Sequence, residues 1–138
     1  MFCSIVSGDL EADVVYSDDR CLAFLDRNPV FLGHVLVVPR QHVETLVELP
    51  SELLAPLFGA VQLIAAALPP ALDAHGTFVA MNNGVSQSVA HLHVHVVPRR
   101  RKDGLRGFFW PRVRYESDEH AAATASTIRA TLTQRSAS

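Results

Sequence analysis

Little in this sequence marks a specialised environment. It has two cysteines, Cys3 and Cys21, too few for a disulfide framework, so a reducing compartment is expected. A net charge of −2 lacks the basic excess of a general nucleic-acid binder, and no nucleic-acid partner is expected. No uninterrupted apolar run approaches the roughly 20 residues of a membrane span, so no membrane partner is expected either. The N-terminal stretch MFCSIVSGDLEAD has no basic region, and its apolar run stops at Gly8-Asp9, too early for a signal peptide. Together these absences predict a soluble, cytoplasmic protein. There is no internal repeat and no long linker. What remains is a chain of 138 residues, 49% hydrophobic and 19% charged, which suits one folded domain.

The local patterns predict an α+β fold. Val14, Val15 and Tyr16 favour a strand, Ser17-Asp18-Asp19 a turn, and Leu22 to Asp26 a returning strand. NPVFLG reads as a loop closed by Gly33, and HVLVVP as a short buried strand ended by Pro39. The main helix lies in LPSELLAPLFGAVQLIAAAL, with Leu53, Leu57, Val61, Ile64 and Leu68 on one face. Ser51 is its expected N-cap. Pro56 shifts its expected start towards Ala55, and Pro69-Pro70 is expected to end or interrupt it. TFVAMNNG reads as a strand entering a turn at Gly84, and SVAHLHVHVVP as a strand ended by Pro98. Ser117 caps a last helix, with Ala121, Ala125, Ile128 and Leu132 on its apolar side. Strands, hairpin signals and one strong helix favour a mainly antiparallel sheet.

Of seven histidines, three fall at every second position of HLHVHVVPRRR. In a strand, His91, His93 and His95 point to one face, and Leu92, Val94 and Val96 to the other. Their origins are then about 6.5–7 Å apart, and the outer two about 13 Å. One metal ion needs each ligand atom about 2 Å away, so three rings on a straight strand converge poorly on a single ion. A row of rings suits an elongated ligand, each ring with its own task. Gly33-His34, Asn82, Gln87 and Ser88 add polar candidates, and the cationic run Arg99 to Lys102 follows the strand. That set suits an anionic substrate such as a phosphate. Neutral imidazole can attack phosphorus and split one difficult displacement into two.

HLHVHVV resembles the signature of the histidine triad (HIT) family of nucleotide hydrolases and transferases. FCSIVSG, YSDDRCLAFLD, GHVLVVPRQH, MNNG and QSVAHLHVHVVPR resemble further family segments in the family's order. The resemblance implies an α+β HIT domain over residues 1–138, with a core to residue 112 and a C-terminal helical extension over 113–138. It implies a mainly antiparallel sheet of about five strands, and a homodimer. By the same resemblance His93 is the nucleophile, forming a nucleotidyl-histidine at the α-phosphate. His91 orients its ring, partly through the backbone carbonyl, and His95 contacts phosphate oxygens and assists the leaving group. His34 is a fourth active-site histidine. Asn82 and Ser88 bind phosphate or the leaving-group side, with Gln87 in support. Asp26 binds the ribose hydroxyls, and Phe2, Ile5 and Phe24 form the base pocket. The substrate is a small nucleotide with an AMP or GMP moiety, such as a nucleoside phosphoramidate or dinucleoside polyphosphate.

Some positions depart from the family pattern. Ser86 stands where glycine often precedes the glutamine, and Arg27 where an apolar base-pocket residue is common. Some relatives bind structural zinc through a Cys-x-x-Cys pair and two histidines. Here Cys3 matches the second cysteine and no residue stands for the first; His42 and His91 remain as possible ligands, so the four-ligand set is incomplete and no metal or other cofactor is expected. Trp110-Pro111 resembles a Trp-Pro loop of the substrate site, and equally suits a hydrophobic clasp. Three classes stay open: hydrolase or transferase, with a phosphorylase as variant; a low-turnover nucleotide sensor; and a metal protein using the histidine row.

Overall fold

The computed structural model describes residues 1–105 and 112–137, and Trp110-Pro111 lies outside them. Met1–Asp103 and Gly104–Ser138 are separate compact units. The first holds a five-stranded sheet in the order β1-β2-β3-β5-β4, every neighbouring pair antiparallel. The strands are β1 (Val14–Ser17), β2 (Cys21–Leu25), β3 (Val35–Pro39), β4 (Gly76–Ala80) and β5 (Val94–Arg99). Asp18 closes the β1–β2 turn, its Oδ1 accepting the Arg20 and Cys21 N–H groups, each at 2.7 Å.

The central strands are apolar on both faces because both are covered. Helix α2 (Leu54–Leu72) packs on one face. Its Leu57, Ala60, Val61, Ile64 and Leu68 meet Ala23, Val35, Val37, Leu92, Val94 and Val96. On the other face Leu22, Phe24, Leu36 and Val38 gather with Phe2, Ile5 and Val6 of a short helix, α1 (Phe2–Ser7). Its six residues are less than two turns, too short for a periodic stripe to register in the sequence. Gly8 ends α1 in the left-handed region at φ 87°.

Four expectations are corrected. Ser51 is not the cap of α2: a 3-10 turn, Ser51–Leu53, precedes the helix, and Leu53 stands at the N-cap position with no side-chain bond. Pro56 falls in the first turn of α2, where backbone N–H groups have no intrahelical partner. Pro69 and Pro70 lie inside the last turn, and the helix continues to Leu72. Pro39 is the last residue of β3, as expected, whereas β5 runs one residue past Pro98 to Arg99; the β3–β5 ladder covers only Val35–Val37 and Val94–Val96. Each proline sits where that neighbour no longer pairs. The triad strand is shorter than expected: regular pairing begins at Val94, leaving His91 and His93 in the approach to β5. In the second unit, Ser117 Oγ accepts the His120 N–H at 3.0 Å, capping α3 (Asp118–Ala137) as expected. Ile128 is exposed.

Candidate active site

Register builds one wall of the site. Phe24 pairs with Leu36 and Leu36 with His95, and paired residues share a face. This row lies on the face covered by α1. The Phe2 ring meets Phe24 edge-on at 5.5 Å and His93 at 5.0 Å. Between α1, the end of β2 and the start of β5 lies a cavity of roughly 480 Å³, within the range of small-molecule sites. Phe2, Ile5, Phe24, Asp26, Ser88, His93 and His95 all line it.

Hydrogen-bond partners assign the ring protons. His93 Nδ1 lies 2.7 Å from the His91 carbonyl. A carbonyl only accepts, so Nδ1 carries the proton, and the neutral ring keeps its lone pair on Nε2. The Val30 N–H donates to His34 Nδ1 at 3.1 Å, so the neutral His34 ring carries its proton on Nε2. That atom lies 2.9 Å from His95 Nδ1 and donates to it. Neutral His95 is then protonated at Nε2. Burial lowers the His34 pKa, with Asp26 opposing. Burial, then His93 and His34, pull His95 down to about 4. Both rings are therefore uncharged near pH 7, and His95 offers an N–H donor.

Asp26 Oδ2 lies 3.7 Å from His34 Nε2, too far for a hydrogen bond. Its Oδ1 accepts the Asn28 N–H at 2.9 Å. The three triad rings do not share one direction. His91 turns from the cavity, and its Nε2 donates to the Pro39 carbonyl at 2.9 Å. Its bare Nδ1 meets His42 Nδ1 at 3.3 Å and Cys3 Sγ at 3.6 Å, and Cys3 to His42 is 3.2 Å. The single elongated face expected of the row therefore belongs to His93 and His95 alone. Tetrahedral N and S ligands about 2.0–2.3 Å from zinc lie about 3.3–3.6 Å from one another. Cys3, His42 and His91 thus fit three vertices of a zinc site. The Pro39 carbonyl would orient the His91 ligand from behind. Asp26, His34 and His95 also bring donor atoms together, but the Val30 N–H commits His34 Nε2 to a proton, which suits a hydrogen bond rather than an ion.

Asn82 and Gln87 are placed differently from Ser88. Gln87 Oε1 accepts the Gly84 N–H at 3.0 Å and its Nε2 donates to the Glu44 carbonyl at 2.5 Å, so its amide holds the loop together. Asn82 is exposed and is absent from the described cavity lining. Ser86 has φ 59°, a conformation that glycine adopts without steric cost. The basic run is corrected: Arg99 pairs with Asp103 at 2.6 Å, Arg100 Nη2 donates to the Leu72 carbonyl, and none of Arg99 to Lys102 appears among the described lining residues. Leu36, Leu10, Ala12, Asn28 and Val89 also line the cavity and were not foreseen. Strand register finds Leu36 once β3 is paired with β5. Nothing local singles out the rest.

A HIT domain profile matches residues 7–102. "Protein hit" of Bacillus subtilis is 36% identical over 140 residues, covering 100% of this chain and 94% of that protein. The adenosine 5'-monophosphoramidase hnt1 of Schizosaccharomyces pombe is 34% identical over 80% of this chain and 82% of that one. The crystal structure of a zinc-bound histidine triad family protein from Mycobacterium smegmatis is 39% identical, with a TM-score of 0.73 over 94% of this chain and 95% of that one.

Proposed function

This chain belongs to the histidine triad family, and from that premise we propose that it hydrolyses or transfers nucleoside monophosphate groups through a covalent nucleotidyl-histidine. The observation that carries the reading is the 2.7 Å contact of His93 Nδ1 with the His91 carbonyl. It fixes the ring's tautomer and leaves Nε2 as nucleophile in a residue that lines the cavity. In the first step Nε2 forms a bond to the α-phosphorus while the bond to the leaving group breaks. The ring becomes cationic, and the His91 carbonyl accepts from its Nδ1–H more strongly. His95 Nε2–H serves the phosphate oxygens and the departing group, with Ser88 beside it. In the second step the water oxygen bonds to phosphorus as the phosphorus–Nε2 bond breaks, His93 leaves as neutral imidazole, and the water releases one proton to solvent. Fixed geometry and preorganised donors supply the acceleration.

Asp26 takes the ribose hydroxyls, since a carboxylate can accept from both hydroxyls of a cis-diol. Phe2, Ile5 and Phe24 take the base. The substrate is a nucleoside phosphoramidate or a dinucleoside polyphosphate. Bound zinc would add structural crosslinking between α1 and the sheet, through Cys3, His42 and His91. Strand β4 ends the sheet order, and its exposed Val79, with exposed Phe58 and Leu63 on α2, supports a homodimer, which light scattering at micromolar concentration tests.

The deciding experiment is His93→Ala with adenosine phosphoramidate. Turnover falls by about four orders of magnitude or more while AMP binding largely survives. In wild type, rapid quenching traps an acid-labile, base-stable label on His93. Near-normal turnover of His93→Ala, or label on His91 or His95, refutes the assignment. Product analysis with and without inorganic phosphate separates hydrolase from phosphorylase. AMP binding without turnover on a broad substrate panel would favour the sensor.

A further inference from the structure

Arg27 lines the cavity but has no task in that mechanism. It follows Asp26 directly in the chain. Its Nη2 donates to the Glu11 carbonyl at 2.8 Å. Glu11 stands between Leu10 and Ala12, and both of these line the cavity. Arg27 is exposed, and this one bond tethers its guanidinium beside an apolar wall. That contact uses one of five guanidinium N–H donors. A side chain held this way has already lost part of the freedom that binding would remove.

A base entering here meets apolar surface and a planar fork of donors. Such a fork matches two adjacent acceptors. Guanine presents O6 and N7 on one edge, and hypoxanthine presents the same two atoms. Adenine has an amino donor in place of O6, which would set N–H against N–H. Resting on the nucleotide reading of the cavity, we infer that Arg27 reads the O6/N7 edge of a 6-oxopurine, so the site takes guanosine and inosine nucleotides in preference to adenosine nucleotides. The neighbouring Asp26 serves the ribose of either class, so the preference belongs to Arg27.

The test is calorimetric titration of AMP, GMP and IMP into wild type, Arg27→Leu and Arg27→Lys. Wild type binds GMP and IMP about five- to a hundredfold more tightly than AMP, the range of one bidentate arginine contact. Arg27→Leu loses the preference through weaker GMP and IMP binding, with AMP bound no more weakly than by wild type. Arg27→Lys keeps the charge without the fork and loses most of it. AMP is the internal control, because a general loosening of the cavity weakens all three ligands together. Equal binding of the three by wild type, or a GMP preference unchanged in Arg27→Leu, overturns the role of Arg27 and leaves the nucleotide reading intact. IMP behaving like AMP overturns it too, by placing recognition on the guanine amino group. Binding of none of the three overturns the nucleotide reading itself, and this inference with it.

Discussion

His34 meets His95 at 2.9 Å, and His42 meets His91 at 3.3 Å. The two contacts differ in what stands behind each ring. Behind His34 is a donor, the Val30 N–H, which takes the lone pair of Nδ1 and puts the ring proton between His34 and His95. Behind His91 is an acceptor, the Pro39 carbonyl, which takes the proton and turns a bare Nδ1 towards His42 and Cys3. One backbone group on the far side of an imidazole thus decides whether its near side offers a proton or a lone pair. The first pair can relay and orient, while the second, with its thiol, offers donor atoms to a cation.

The largest effect expected from this contrast is metal dependence confined to one side. At zinc a hundredfold above Kd, wild type gains about 2.7 kcal/mol, read as a higher thermal midpoint with zinc than with EDTA. Cys3→Ser loses that gain and His34→Ala retains it. An equal zinc response in Cys3→Ser removes the cluster as the site.

His34→Ala breaks the hydrogen-bonded pair. It removes the donor that fixes the tautomer of half-buried His95, and kcat falls about five- to a hundredfold, equal to about 1–3 kcal/mol of lost transition-state stabilisation. His34→Gln, which can still donate to His95 Nδ1, recovers most of the rate. If Ala and Gln lower kcat equally, the ring is there for bulk and not for its proton.

Gly33→Ala acts on the same side through the backbone. Gly33 has φ +96°, and an added Cβ would stand 2.2 Å from Leu72 Cδ1. Leu72 can yield, so the left-handed backbone sets the cost at about 1–2 kcal/mol, measured by urea unfolding. Gly8→Ala has a similar φ of +87° and open space around its Cβ. Its smaller loss would show the contact with Leu72 adding to strain, whereas equal losses would show strain alone.

The smallest effect is a slope with pH. His95 titrates near 4 in the folded protein against about 6.5 when unfolded, and His34 is lowered in the same sense. Between those values the unfolded chain binds more protons, so stability falls as pH drops below about 6.5 towards 4. Thermal midpoints in EDTA should decline over that window, and less steeply in His95→Gln. A variant slope matching wild type would show that His95 does not carry the dependence.

Legibility in the sequence followed the range of each interaction. The α2 stripe of Leu57, Val61, Ile64 and Leu68 was readable because helical periodicity is local. Ser117 was readable because its bond spans three residues. The limits of β5 were not, since they depend on where β3 and β4 pair with it. The run of β5 one residue past Pro98 follows from the same pairing, Arg99 with Gly76. Within the site, the residue types of the triad and of Asp26 drew attention on chemistry alone. Arg27 stood out as a departure, but its hold on Glu11 appears only when β2 and the Leu10–Ala12 segment are brought together. Gln87 looked like a ligand residue, and its amide proved to be occupied by Gly84 and Glu44.

The sequence by itself determined which faces are buried and which carry chemistry, because alternation and helical period are properties of neighbouring residues. Leu92, Val94 and Val96 had to enter the core, and that alone sent His93 and His95 to the opposite face. Tertiary structure alone decided the tautomers and the division of the triad. The groups responsible, the Val30 N–H and the carbonyls of Pro39 and His91, are backbone atoms with no signature in residue type. Of these, Pro39 and its partner His91 stand 52 positions apart in the chain. Only folding could set that carbonyl behind the ring, and so turn a row of three histidines into two sites facing different ways.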